Sequence, residues 1–168
     1  GMAYIQVTEF DDVTVDQFTE NYAVIKGSGA KALVLDLRGN PGGLLDAVVD
    51  IGRQILPEGL VVYTEDKNGK RVEYDCDGTR KIEIPMVGLV NGGSASAAEV
   101  LTGAVKDYGV GTIMGTTTYG KGIVQKIIEL SDGSAIKLTT DGYFTPKGNN
   151  IHGKGIEPDI VVEFAAEA

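Results

Sequence analysis

Two short, almost wholly apolar runs limit most tightly what this chain can fold into. Lys31 to Leu37 reads KALVLDL and Pro85 to Val90 reads PMVGLV. Runs of this length and composition suit strands buried on both faces of a parallel sheet. Each leads into a glycine-bearing turn and then a helical pattern. After the first comes Arg38-Gly39-Asn40-Pro41-Gly42-Gly43, a sharp loop. Leu44 to Leu56 then reads as a helix, with Leu45, Val48, Val49, Gly52 and Leu56 inward and Pro57 just beyond. After the second comes Gly92-Gly93-Ser94-Ala95-Ser96-Ala97-Ala98-Glu99, then a helix ending near Gly109 and a short strand at Thr112-Ile113-Met114. Strands alternating with helices predict an α/β fold with both sheet faces partly covered.

The remaining segments add edges and hairpins. Ala3 to Thr8 is β-prone. Thr14 and Gln17 fit a capping box, and Val15, Phe18, Tyr22 and Ile25 form one helical stripe stopped by Gly27 and Gly29. Leu60–Tyr63 and Arg71–Tyr74 flank Asn68-Gly69, a hairpin signal. Ile123–Leu130 and Ser134–Thr140 flank Asp132-Gly133, a second one. Tyr143 to Gly155 reads as loop, and Ile160 to Phe164 as a last strand. With 168 residues and no linker, repeat or low-complexity tract, residues 1–168 read as a single domain with a real core.

Charge and cysteine use exclude several classes of function. A net charge of -9 argues against a nucleic-acid backbone as partner. No apolar run approaches the ~20 residues of a membrane span. Gly1 ahead of Met2 reads as a cloning scar, so the chain is treated as an excised domain and the missing leader carries no message. A single cysteine, Cys76, forms no internal disulfide and sits between two acids as a bystander. A single histidine, His152, is too little for a histidine-based zinc site and reads as an exposed loop residue.

The groups that suggest chemistry lie between Gly92 and Gln125. Ser96-Ala97-Ala98-Glu99 matches S-x-x-E, and most such serines only cap helices. The very small side chains from Ser94 to Ala98 also leave room for a substrate backbone. A helix entrance aims free N–H groups, here those of Ser96 and Ala97, at whatever lies above the serine. Such donors stabilise a tetrahedral oxyanion. A serine nucleophile needs a base. Lys121, 25 residues on and set between Gly120 and Gly122, is the better candidate than His152. It works only if burial lowers its pKa well below the free value of ~10.4. A surface lysine in a turn is the commoner case.

Other candidates are weaker. Glu99 completes the capping box, and Asp107 stands against the dipole at a helix C-terminus. Gln125, four residues after Lys121, shares its face on a regular strand but lies ~13 Å away at ~3.3 Å per residue. Only a bend at Gly122 lets that amide orient the amine. Gly115 to Lys121 imitates a phosphate loop, G-x-x-x-x-G-K, but Gly122 stands where Ser or Thr must be and a strand-like run follows.

Taken together, LVLDLRGNPGG (33–43), Asn91 to Glu99, Lys106-Asp107-Tyr108-Gly109, Tyr119 to Gln125, Tyr143-Phe144-Thr145-Pro146 and Gly153 to Asp159 resemble the C-terminal processing peptidases. These are the tail-specific proteases of the S41 serine peptidase family, and the resemblance covers nearly the whole chain in order. It implies an α/β crotonase/ClpP-like core with a mixed sheet flanked by helices. It implies a serine endopeptidase that cuts protein substrates near their C-termini through an acyl-enzyme. Ser96 is then the nucleophile, Lys121 the general base and Gln125 its orienting residue. Ala97 and Gly42 supply the oxyanion hole through backbone N–H groups. No metal, cofactor or nucleic acid is implied, and the partners are protein or peptide substrates held as extended chains. A PDZ module is expected in the full-length protein, and an extracytoplasmic location, periplasmic, cell-envelope or secreted, follows from the same resemblance. Two alternatives remain open at this stage: an inactive peptide-binding domain of the same fold, and a crotonase-like acyl-thioester enzyme that would bind coenzyme A.

Overall fold

A computed structural model describes residues 1–163. The two apolar runs become neighbouring strands at the centre of a parallel sheet. In chain order the elements are β1 (Met2–Gln6), α1 (Thr14–Gly27), β2 (Ala32–Asp36), α2 (Leu45–Gly52), β3 (Gly59–Asp66), β4 (Arg71–Cys76), β5 (Met86–Val90), α3 (Ala97–Tyr108), β6 (Thr112–Gly115), β7 (Ile123–Glu129), β8 (Ala135–Phe144) and β9 (Ile160–Val161). The first sheet has the order β1-β2-β5-β6-β9, and every pairing in it is parallel. The second, β4-β3-β8-β7, is antiparallel throughout. The α/β class holds, with parallel and antiparallel pairings segregated into two sheets.

Helix α3 is the centre of the molecule. Every residue from Ala97 to Val105 is buried, the condition of a helix covered on all sides rather than one with a solvent face. It packs against α2 and touches both β6 and β3, joining the two sheets. Gly109 ends it in the left-handed conformation, φ +64°, a standard stop for glycine. On α1 the stripe read from the sequence is the packing face: Phe18 and Tyr22 are buried, and Val15 and Ile25 pack against the core at its edge.

Four local expectations need correction. Thr14 is the first helical residue rather than the cap. The Asp11 carboxylate accepts the N–H groups of Val13 and Thr14 at 3.1 and 3.0 Å and the Thr14 hydroxyl at 2.6 Å. That bond to the Thr14 hydroxyl, with the backbone ones behind it, holds Asp11 below its usual pKa. Helix α2 stops at Gly52, and the chain then turns through Ile55 instead of staying helical to Leu56. Strand β8 runs on to Phe144, two residues into the predicted loop, because Tyr143 and Phe144 pair with β3. The last strand is Ile160–Val161, and Phe164 lies outside the described residues. Both hairpin turns stand as read. Gly69 and Gly133 take φ +79° and +84°, while Asp66 and Asp132 accept backbone N–H groups across their turns.

Candidate active site

The parallel sheet brings two loops together at the carboxyl ends of β2 and β5, the crevice where open α/β sheets place their sites. Hydrogen bonds stitch the loops to each other. The Asn91 side-chain oxygen accepts the N–H of Gly93 at 3.0 Å and of Gly39 at 2.9 Å. Ala95 N–H donates to the Asn40 carbonyl at 2.9 Å. Asn40, fully buried, donates its amide to the Val7 carbonyl at 2.8 Å. The two serines of the loop have different fates. Ser94 is fully buried, and its hydroxyl donates to the Leu37 carbonyl at 2.7 Å while accepting the Asn91 N–H. Ser96 is half-buried and heads α3.

Ser96 has φ +53° and ψ −117°, the single non-glycine residue at positive φ among the described residues. Such a conformation costs about 1–3 kcal/mol and persists only where the surroundings impose it. They do so here. Ser96 N–H donates to Glu99 Oε2 at 2.9 Å, and Glu99 N–H donates to the Ser96 carbonyl at 2.8 Å. From the other side comes Gly42, at φ +104°. A Cβ on Gly42 would lie 2.7 Å from the Ser96 Cβ and 2.9 Å from the Ala97 nitrogen. The glycine loop after β2 is therefore pressed against the start of α3, at a distance no larger residue permits.

Glu99 does far more than cap. It is fully buried and accepts four hydrogen bonds. Oε1 takes the Thr118 hydroxyl and the Gly120 N–H, both at 2.6 Å. Oε2 takes the N–H groups of Lys121 at 2.8 Å and Ser96 at 2.9 Å. Three of these donors are backbone amides, so both oxygens are pinned as acceptors. Ser96 and Lys121 thus hang from one carboxylate oxygen, and their backbones are immediate neighbours although 25 residues separate them. Thr118 is fixed in turn by accepting the Ile156 N–H at 2.7 Å.

The sequence-derived candidates distribute as follows. Ser96, Ala97, Gly42 and Lys121 come together. Lys121 is half-buried, and no hydrogen bond joins its amine to Ser96 Oγ among the described residues. The Ala97 nitrogen lies against Gly42, and its N–H meets no acceptor among the described residues. The Ser96 N–H is taken by Glu99, which removes it from the donors expected at the helix entrance. The Gly42 N–H donates to the Asn40 side-chain oxygen at 2.8 Å. Gln125 is exposed on β7 and bonds no part of Lys121. Asp107 accepts the Lys147 N–H at 2.8 Å, fixing the loop after β8. His152 is exposed.

A second buried acid escaped the sequence reading. Asp36, at the end of β2, is fully buried and forms a two-bond ion pair with Arg38 at 2.9 and 2.6 Å, while Tyr4 donates its hydroxyl to it at 2.7 Å. Burial pushes the carboxyl up, but the bonds from Arg38 and Tyr4 outweigh it and hold Asp36 below the usual carboxylate range. The same bond to Asp36 raises Arg38 further above its ordinary value. The Asp-Leu-Arg triplet was visible in the sequence; the third bond, from Tyr4, comes from the neighbouring strand β1.

The fold occurs in known proteins. The model of peptidase family S41 matches residues 1–162. The chain belongs to that family. It is 41% identical over 163 residues to the carboxyl-terminal-processing protease of Synechocystis sp., covering 97% of this chain and 38% of that protein. To the carboxy-terminal processing protease CtpA of Bacillus subtilis it is 39% identical, over 95% of this chain and 34% of that one. Among solved structures, the photosystem II D1 C-terminal processing protease superposes with a TM-score of 0.91 at 38% identity, over 95% of this chain and 42% of that one. The tricorn protease, at 22% identity and a TM-score of 0.61, shares the fold. The chain therefore spans under two fifths of the length of the two curated relatives and 42% of the D1 processing protease chain.

Proposed function

We propose that this chain is the catalytic core of a serine endopeptidase that cleaves polypeptides near their C-termini with Ser96 and Lys121. One observation carries the reading. A strained serine at the head of a buried helix and a lysine from a distant loop have their backbones fixed on the same oxygen of Glu99. Nothing in helix capping alone calls for the second bond.

In the proposed reaction the Lys121 amine takes the Ser96 hydroxyl proton as Oγ bonds to the scissile carbonyl carbon. The carbonyl oxygen becomes an oxyanion facing the Ala97 N–H. Gly42 joins as second donor when its bond to Asn40 opens. Collapse breaks the C–N bond, and Lys121 returns the proton to the departing amine. Water then attacks the acyl-serine with Lys121 again as base, releasing acid and free Ser96. The chain's own residues supply each step. Gln125 would orient Lys121 only after a rotation toward it. A PDZ module in the parent protein and an extracytoplasmic location belong to the same proposal, supported by the likeness to the carboxyl-terminal-processing proteases.

A fluorophosphonate probe tests the nucleophile: it should label Ser96, and Ser96→Ala should abolish both labelling and turnover. Lys121→Arg keeps the charge but gives up no proton at working pH, so it should be inactive. Lys126→Arg and Lys154→Arg are controls that retain activity. An active Lys121→Arg protein would return Ser96 to a helix cap. That no hydrogen bond joins Lys121 Nζ to Ser96 Oγ among the described residues favours one second reading, an inactive peptide-binding domain of this fold, for which the probe would leave Ser96 unlabelled.

A further inference from the structure

Four strands end the two sheets: β1 and β9 in one, β4 and β7 in the other. They are not equivalent. Strand β9 has two residues. Strand β1 lies two strands from β5, which delivers Ser96. Strand β4 carries Arg71, Glu73 and Asp75, with Arg71 and Glu73 paired at 2.8 Å; such charge blunts an edge. Strand β7 begins two residues after Lys121 and runs for seven residues without proline. Only Lys126 and Glu129 on it are charged, and from Gln125 onward it is exposed on both faces.

The ladder with β8 decides which backbone groups of β7 are used. The Gly122 carbonyl accepts the Tyr143 N–H at 2.8 Å, and the Leu130 N–H donates to the Ser134 carbonyl at 2.7 Å. The even-numbered residues therefore turn their backbone groups toward β8. The irregularity after Val124 puts the extra residue, Thr140, on β8, so β7 keeps its own alternation. Alternation leaves the N–H and C=O groups of Ile123, Gln125, Ile127 and Glu129 facing away from the sheet. Among the described residues no strand or loop takes them. A row of open backbone donors and acceptors thus starts beside the lysine that shares Glu99 with Ser96.

We propose that the outward edge of β7 is the strand on which substrate docks: an extended polypeptide pairs with the main chain of Ile123, Gln125, Ile127 and Glu129 and is led past Lys121 to Ser96. The proposal rests on the peptidase reading and adds where, and in what form, the substrate is held. Main-chain pairing tolerates many sequences but demands an unpaired strand, so the occupant is an unstructured chain, not a folded domain. Its apolar side chains find cover on both faces. Ile127 is 69% exposed on one, and Ile128, Ile136 and Leu138 are exposed on the other. The chain's net charge of -9 favours a neutral or basic occupant over an acidic one.

The test measures binding, so it does not depend on Ser96 chemistry. Reduced and carboxamidomethylated lysozyme, a basic unstructured polypeptide, is labelled with fluorescein and titrated against the 168-residue Ser96→Ala chain. In that background Ile127→Pro removes an outward N–H and leaves the β8 ladder intact, while Ile127→Ala removes the side chain and keeps the N–H. The expected result is about a tenfold loss of affinity for proline and less than about threefold for alanine. Equal losses, or no loss for proline, overturn the proposal. Should the proline variant fail to melt cooperatively, amide exchange of the Ser96→Ala chain decides. The unfolded lysozyme should slow exchange at Ile123, Gln125, Ile127 and Glu129 and leave Lys126 and Ile128 unchanged; no slowing overturns it. Slow exchange at those four amides without added polypeptide, together with a dimer in sedimentation, would mean that β7 pairs with a second copy, and also overturns it. Unfolded lysozyme bound with these amides protected, but left uncut by the Ser96 chain, would sink the peptidase reading while leaving the docking strand standing.

Discussion

The two sheets are held by different means. The parallel sheet is covered by helices and fastened at the carboxyl ends of β2 and β5 by buried polar groups: Asp36, Asn40, Ser94 and Glu99 are all fully buried, and each is bonded. The antiparallel sheet is fastened where β3 meets the end of β8, through the stacked rings of Tyr63 and Phe144, 4.9 Å apart, with the Arg71 guanidinium 3.5 Å above Tyr63. Its far half, β7 with the start of β8, is open to solvent. Ser96 belongs to the first region and Lys121 to the junction between them. The bonded region fixes a strained serine; the open one has backbone left to offer.

The comparison can be broken most decisively at Glu99. Glu99→Ala orphans three backbone N–H groups, one buried and two part-buried, and releases both Ser96 and the Lys121 loop. It should cost about 4 kcal/mol or more in urea unfolding and abolish turnover. A variant within 1 kcal/mol of wild type (roughly the worth of one ordinary hydrogen bond) would show that Glu99 does not hold the two segments together.

Next in size is a matched pair of truncations. Leu101, fully buried on α3, should lose about 3 kcal/mol as Leu101→Ala. Leu138, 46% exposed on β8, should lose less than about 0.5 kcal/mol as Leu138→Ala. Similar losses would mean that the distal hairpin is packed in solution against something that covers it.

The smallest effects lie in pH, and they oppose each other. Asp36 has its carboxyl held down, so the folded state binds its proton less readily than the unfolded chain. Its contribution is present above the ordinary carboxylate value of 3.8 and is lost as pH falls through the lower folded one. Tyr143, at the inner end of β8, is pushed up to about 12, first by burial and then by Tyr74 and Asp141. Its contribution is present below 10.0 and is lost as pH rises toward 12. Urea midpoints of Asp36→Asn should lose less than wild type below pH 4, and those of Tyr143→Phe less than wild type above pH 10. Flat wild-type midpoints at either end would remove that sheet from the comparison.

The sequence by itself determined what depends on neighbours in the chain. The buried runs of β2 and β5, the stripe on α1, the turns at Asn68-Gly69 and Asp132-Gly133, and the S-x-x-E start of α3 are all local patterns, and all appear in the structure. Tertiary structure alone decided where non-local polar groups find their partners. It bound the Ser94 hydroxyl to Leu37 and set Ser96 at the head of α3, although the two sit in nearly the same sequence context. It turned the Ser96 N–H toward Glu99 and the Gly42 N–H toward Asn40, and it left Gln125 on an open strand. It carried Glu99 from a helix cap to the joint between Ser96 and Lys121. The reason is physical. A buried carboxylate must find donors wherever the packed chain supplies them, and that supply exists only once β6 has paired with β5 and brought Thr118, Gly120 and Lys121 beside the start of α3.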